Sequence, residues 1–88
     1  MLELDVKKEV SKAIVRLLRV TSDGVYVDAT EIAELLNVNN RSIVREIAKV
    51  LDSFESLGLL TRIYGKTLSD KVYFVSKNLL KKFEDMVR

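Results

Sequence analysis

The sequence predicts a mainly α domain with a small β-hairpin, an α+β fold whose elements follow the order α-β-α-α-β-β-α. Two observations predict this class. Four segments repeat apolar residues at three- and four-residue spacing, which is the periodicity of amphipathic helices. One short and two longer β-branched and aromatic runs lie between these segments. Because no linker, repeat or low-complexity segment interrupts the chain, we expect residues 1–88 to form a single domain.

The first helix is predicted over residues 5–20, where the apolar residues share one helical face. These residues are Val6, Val10, Ala13, Ile14, Leu17 and Leu18. Thr21 to Gly24 break the pattern with residues that favour turns. The run from Val25 to Val27 is β-branched and aromatic, which predicts one brief strand.

The second helix is predicted from residue 29 to about residue 36, after a strong start signal. Asp28 is a good N-cap, and Glu31 three residues later completes a capping box. The buried side of this helix is formed by Ile32, Ala33, Leu35 and Leu36. Asn37 follows, and Asn tolerates the left-handed backbone conformation that ends a helix.

The third helix is predicted from residue 40 to about residue 57, with Asn39 as its cap and Gly58 as the residue that ends it. Its helical periodicity separates two faces. The apolar face carries Ile43, Ile47, Val50, Leu51, Phe54 and Leu57. The basic face carries Arg41, Ser42, Arg45 and Lys49.

A hairpin and a last helix are predicted after Gly58. Residues 59–64 and 71–75 are rich in Leu, Ile, Val, Tyr and Phe, and residues 65–70 between them suit the tip of a hairpin. Ser76 can cap a last helix over about residues 77–87. The apolar side of that helix carries Leu79, Leu80, Phe83 and Val87.

The composition excludes several classes of function. The chain has no Cys and no His, so disulfides, Cys/His zinc sites, Cys or His nucleophiles and His acid–base catalysis are impossible. The three glycines stand apart and form no phosphate-binding loop. We therefore expect no enzymatic activity, no metal, no cofactor and no small-molecule ligand.

Charge and hydropathy indicate a soluble globular chain with 48% apolar and 32% charged residues. No apolar run approaches the roughly 18 residues that a membrane span needs. The first residues carry acids rather than the basic start of a signal peptide, so we expect a cytoplasmic protein. A net charge of +2 does not by itself imply nucleic acid as a partner.

The order of elements, with a hairpin directly after the long helix, resembles the winged helix-turn-helix domain. Ala33 stands where the family has a small residue that lets two helices approach closely. Ile43 stands ten residues later, at the apolar position that locks the second helix of the motif onto the first. Asn37 stands where the family usually has Gly, and residues 55–60 are similar to the family's usual lead into the wing.

The resemblance covers about residues 8–75. It implies a helix-turn-helix over about 29–57 and a wing over about 59–75, and the predicted C-terminal helix over about 77–87 completes the same domain. The chain departs from the family in three respects. The long helix is about one turn longer than in common bacterial regulators, the wing is short and weakly basic, and the second helix begins with acids.

Binding to double-stranded DNA is what the resemblance implies, with the third helix in the major groove of a transcription regulator's operator. The residues expected nearest base edges are Asn40, Arg41, Ser42 and Arg45. The residues expected at phosphates are Lys49, Arg62, Lys66 and Lys71. The acids Asp52 and Glu55 lie in the second half of the third helix, and this half would extend out of the groove.

Each of these assignments has a structural alternative. The three bases of the third helix could form a plain solvated face, and Asn40 could be only the start of the helix. Tyr26, Tyr64 and Tyr73 could stack on bases but are more often packing residues on strands. No aromatic stacking platform on a sheet is evident in the sequence, which disfavours RNA as a ligand.

The oligomeric state and the class of partner also have alternatives. The apolar side of the last helix could cover the first helix within one chain or pair with a second chain. We expect a homodimer through the N- and C-terminal helices, because many regulators of this family match two half-sites. Lys77, Lys81 and Lys82 would then form a solvated rim. The alternative function is a winged-helix module that binds protein without direct DNA contact.

Overall fold

A computed structural model describes residues 5–66 and 70–88. Within these residues, four α-helices and a three-stranded antiparallel sheet occur in the predicted order. The helices are α1 (Val6–Arg19), α2 (Ala29–Leu35), α3 (Arg41–Ser56) and α4 (Leu80–Met86). The strands are β1 (Gly24–Val27), β2 (Thr61–Tyr64) and β3 (Val72–Ser76), and a 3-10 turn (Lys77–Leu79) joins β3 to α4. The predicted hairpin tip lies partly outside the described residues, since these exclude 67–69.

Helix α1 forms the centre of the helical layer. The Asp5 carboxylate caps its start by accepting a hydrogen bond from the Lys8 backbone N–H at 3.1 Å. The apolar face predicted for this helix is the face that is buried, with Val10, Ile14 and Leu18 fully enclosed. Helices α2, α3 and α4 all pack against α1, so α1 is the helix that the other three share as a packing partner.

The sheet has the strand order β1-β3-β2, with both pairs antiparallel. Val27 lies opposite Tyr73, and both side chains are buried on the inner face together with Val75. Because side chains alternate along a strand, Phe74 points to the outer face, where it lies opposite Tyr26. A bulge between Arg62 and Tyr64 interrupts the pairing of β2 with β3.

The turn between α2 and α3 is the tight turn that the sequence predicts. The Asp28 carboxylate accepts a hydrogen bond from the Glu31 backbone N–H at 2.7 Å, which caps α2. Asn37 has a φ of 59°, so it adopts the left-handed conformation predicted for it. The Val38 N–H then donates to the Ala33 carbonyl at 2.9 Å, which closes the end of α2.

The cap of α3 differs from the prediction. Asn40, and not Asn39, is the N-cap, because its side-chain oxygen accepts hydrogen bonds from the Ser42 and Ile43 backbone N–H groups at 2.8 and 3.4 Å. Leu57 also differs from the prediction: it lies just beyond α3 and is 65% exposed, although the periodicity placed it on the apolar face. The helix therefore ends before the last apolar position of its repeat.

Helix α4 packs against α1 within one chain. Phe83 is fully buried and its ring meets that of Phe54 at a centroid distance of 5.5 Å, edge to face. Phe54 belongs to α3, so this contact joins α4 to α3, whereas an exposed ion pair between Arg19 and Glu84 at 2.8 Å joins α4 to α1. Part of the apolar side of the last helix therefore packs within a single chain, while Leu79 and Leu80 are only partly buried.

Lys77 is not part of a solvated rim. Its Nζ atom donates hydrogen bonds to the Leu18 and Thr21 carbonyl oxygens, the second at 2.7 Å, and so satisfies the end of α1. Lys81 and Lys82 are exposed on α4, as the sequence predicts. In the part of the chain that the structure describes, no helix is long and apolar enough to cross a membrane.

Candidate nucleic-acid interface

Helix α3 presents its basic face to solvent because its other face is locked in the core. Ile47, Leu51 and Phe54 are fully buried and fix the rotation of the helix about its axis. Arg41, Arg45 and Lys49 recur every four residues on the opposite side, and all three are exposed. At a rise of about 1.5 Å per residue, the three bases span about 12 Å along the helix axis, a length that fits within a major groove.

The cations of this face have at most one weak internal partner. Among residues 5–66 and 70–88, no ion pair involves Arg41 or Arg45. Lys49 lies 3.7 Å from Glu46, but both side chains are more than half exposed and the contact is weak. The two guanidinium groups and this ammonium group are therefore free to meet an external anion.

Asn40 is placed less favourably for base recognition than the sequence predicts. Pairing with adenine uses both the oxygen and the nitrogen of the Asn amide. The Asn40 oxygen already accepts from two backbone N–H groups as the cap of α3. Only its NH₂ group remains free of the cap, whereas Ser42 is exposed on the first turn of the helix beside Arg41.

The bases of the wing divide into two kinds. The Lys71 ammonium contacts the Asp52 carboxylate at 2.7 Å, and its side chain is only 13% exposed. Arg62 lies 3.9 Å from Glu55 and is 45% exposed, so its contact is looser. Lys66 is exposed next to the hairpin tip. The structure thus brings Lys71 and Arg62 to the second half of α3, whereas Lys66 is directed to solvent.

Asp52 is the centre of a small network between α3 and β3. Its Oδ1 atom accepts hydrogen bonds from the Lys71 ammonium and from the Tyr73 hydroxyl, the latter at 3.3 Å. The Lys71 hydrogen bond holds the pKa of the Asp52 carboxyl below its ordinary value, so this group stays charged near neutral pH. Burial, and then the Asp52 charge, raise the pKa of the Tyr73 hydroxyl, which keeps its proton.

The helix next to α3 is acidic on its exposed side. Burial raises the pKa of the Glu31 carboxyl, and repulsion from Asp28 and Glu34 adds to this effect. None of these three acids forms an ion pair with another described residue. This side of α2 therefore repels phosphate.

The outer face of the sheet carries a feature that sequence reasoning missed. Tyr26 and Tyr64 are 59% and 64% exposed there, and the Tyr26 ring lies 5.2 Å from that of Phe74. An aromatic surface on a sheet therefore exists, contrary to the expectation. Alternation within β1 and β3 was the signal that could have found it, because Tyr73 and Val75 point inwards and Phe74 must then point outwards.

Comparison with known proteins gives no relative for this chain: no family model, no curated protein and no solved structure matches it.

Proposed function

We propose that this chain is a winged helix-turn-helix protein that binds double-stranded DNA in a sequence-specific manner, with α3 in the major groove, and regulates transcription. The observation that carries the proposal is the pair Arg41 and Arg45, exposed one turn apart on a rigid helix and without an internal ion pair. Two such guanidinium groups can each pair with a guanine edge in the groove.

The topology supports the winged-helix assignment. Helices α2 and α3 pack against each other across a tight turn, and α3 packs on α1. A hairpin of β2 and β3 follows α3 directly, and β1 adds a third strand beside β3. This arrangement leaves the basic face in the first half of α3 exposed, and that half of the helix is the one that enters the groove in that family.

The distribution of charge supports DNA as the ligand more than the net charge does. Residues 41–49 hold three bases and one acid, whereas residues 50–56 hold two acids and no base. The two acids are directed to the wing bases Lys71 and Arg62, so they are neutralised within the chain. The basic half of α3 is left as the part of this helix that attracts phosphate and base edges.

The experiment that tests the proposal is fluorescence anisotropy of labelled duplexes from a random library, titrated at several salt concentrations. We expect the variant Arg41→Ala/Arg45→Ala to bind about thirtyfold or more weakly, because the two lost guanidinium contacts together cost about 2–6 kcal/mol. The matched control is Arg16→Ala/Arg88→Ala, which removes the same charge from two exposed residues of α1 and the C-terminus.

Two outcomes would contradict the proposal. The first is a control variant that loses as much affinity as the α3 variant, since binding would then follow net charge alone. The second is a folded wild-type chain that binds no duplex at low salt. Circular dichroism on each variant separates a lost contact from a lost fold.

One observation favours the alternative, a module that binds protein without direct DNA contact. A protein-binding surface is expected to include exposed apolar side chains, and Tyr26, Ile63 and Tyr64 provide them on or beside the outer sheet face. Binding of a protein partner that Tyr26→Ser/Tyr64→Ser abolishes and Arg41→Ala/Arg45→Ala retains would support this alternative.

A homodimer through α1 and α4 stays a prediction. The two helices already bury Val10, Leu18 and Phe83 against each other and the core of one chain. A second copy would have to use their partly buried residues, such as Leu79 and Leu80. Sedimentation of the free chain over a range of concentrations tests this prediction, and a monomer throughout that range would contradict it.

A further inference from the structure

The second half of α3 holds the wing in place through charged contacts. Asp52 lies one turn before Glu55, and the two carboxylates face Lys71 and Arg62 on the hairpin. The Tyr73 hydroxyl, in the same hairpin, donates a further hydrogen bond to Asp52. The second half of α3 therefore contacts the wing through both carboxylates.

We propose that Asp52 is a positioning residue for DNA binding: it holds the Lys71 ammonium against α3 and so keeps this base from a DNA phosphate. The inference rests on the proposed function, since it concerns how strongly the wing takes part in DNA binding. It reverses the role expected of Lys71 from the sequence, which was a phosphate contact. Asp52 acts through Lys71 and does not itself contact the nucleic acid.

Geometry supports the proposal because carboxylate and phosphate oxygens are alternative acceptors for the same ammonium. A separation of 2.7 Å is that of a charge-assisted hydrogen bond, and the Lys71 side chain is largely shielded from water. A phosphate would have to displace Asp52, which the Tyr73 hydroxyl also holds in position. The net gain from exchanging one anionic oxygen for another is small.

Arg62 provides a contrast within the same hairpin. Its Nε atom lies 3.9 Å from the Glu55 carboxylate, which is too long for a hydrogen bond. Its side chain is nearly half exposed and can leave Glu55 at little cost. Of the two wing bases that face α3, Arg62 can therefore turn to a phosphate, whereas Lys71 is withheld from one.

The test measures how the affinity for a duplex depends on salt. Each phosphate contact adds about 0.9 to the slope of log affinity against log salt concentration. If Asp52→Asn releases Lys71, the slope becomes steeper by about 0.9. The double variant Asp52→Asn/Lys71→Met removes the released base, so its slope should be that of Asp85→Asn, the control variant.

The control is Asp85→Asn, which makes the same chemical change at an exposed residue of α4. Asp52→Ser, which leaves no amide oxygen to hold Lys71, is the second variant and should show the same steeper slope as Asp52→Asn. Thermal unfolding of each variant verifies that the chain is folded at the temperature of the titration. Comparison with Asp85→Asn removes the general effect of one lost negative charge.

The inference is overturned if both Asp52 variants have the slope of Asp85→Asn while the wild type binds DNA. It is also overturned if Asp52→Asn/Lys71→Met keeps the steeper slope, because the extra contact would then not come from Lys71. These results leave the proposed function intact. A wild-type chain that binds no duplex contradicts the proposed function itself, and this inference with it.

Discussion

At the scale of single residues, three lysines that look alike in the sequence have different surroundings in the structure. Lys49 is exposed beside one loosely held acid, Lys71 is held by Asp52, and Lys77 donates to two backbone carbonyl oxygens. The sequence cannot distinguish these three, because the partners of Lys71 and Lys77 lie far along the chain and meet them only in the folded state. Residue type alone therefore predicts more phosphate contacts than the structure leaves free.

Lys77 is expected to stabilise the fold rather than bind a ligand. Lys77→Met should lower the free energy of unfolding by about 1–3 kcal/mol, because a charged donor is removed from two carbonyl groups at the end of α1. Lys81→Met, an exposed lysine of α4, should change it by less than about 0.5 kcal/mol. Denaturant titration measures both, and equal effects would show that the Lys77 hydrogen bonds add no stability.

At the scale of elements, periodicity and caps predicted the helices closely, and the errors lie at their ends. The residues Asn39 and Asn40 have the same capping preference, so propensity cannot choose between them. In the structure the cap is Asn40, which has the extended backbone of a cap and whose side-chain oxygen accepts from two free N–H groups. Periodicity also fails at Leu57. This residue continues the apolar repeat of α3, but the helix ends one residue earlier, at Ser56.

The turn between α2 and α3 gives a prediction at the same scale. Asn37 has a φ of 59°, a conformation that costs most L-residues about 1–2 kcal/mol. Asn37→Ala should therefore destabilise the chain by about 1 kcal/mol, whereas Asn37→Gly should be neutral or stabilising. Thermal unfolding compares the two variants, and a more stable Ala variant would contradict the left-handed turn.

At the scale of the whole molecule, the fold separates two surfaces. The α3 face is basic: among the described residues Arg41 and Arg45 form no ion pair, and Lys49 forms only a weak one with Glu46, while the outer sheet face is aromatic and partly exposed. The order of elements followed from the sequence, because each segment carries its own periodicity and turn signals. Alternation predicts that Phe74 points outwards, but the pairing of Phe74 with Tyr26 depends on the register of β1 and β3, which the sequence does not supply.

The most direct test of the central claim is an NMR titration of the ¹⁵N-labelled chain with a short duplex at low salt. If α3 binds DNA, the largest amide shift changes occur over residues 41–49, with small changes over β1 and over the N-terminal half of α2. The largest changes on β1 and β3, with α3 unaffected, would place the binding surface on the aromatic sheet face and contradict DNA binding by α3.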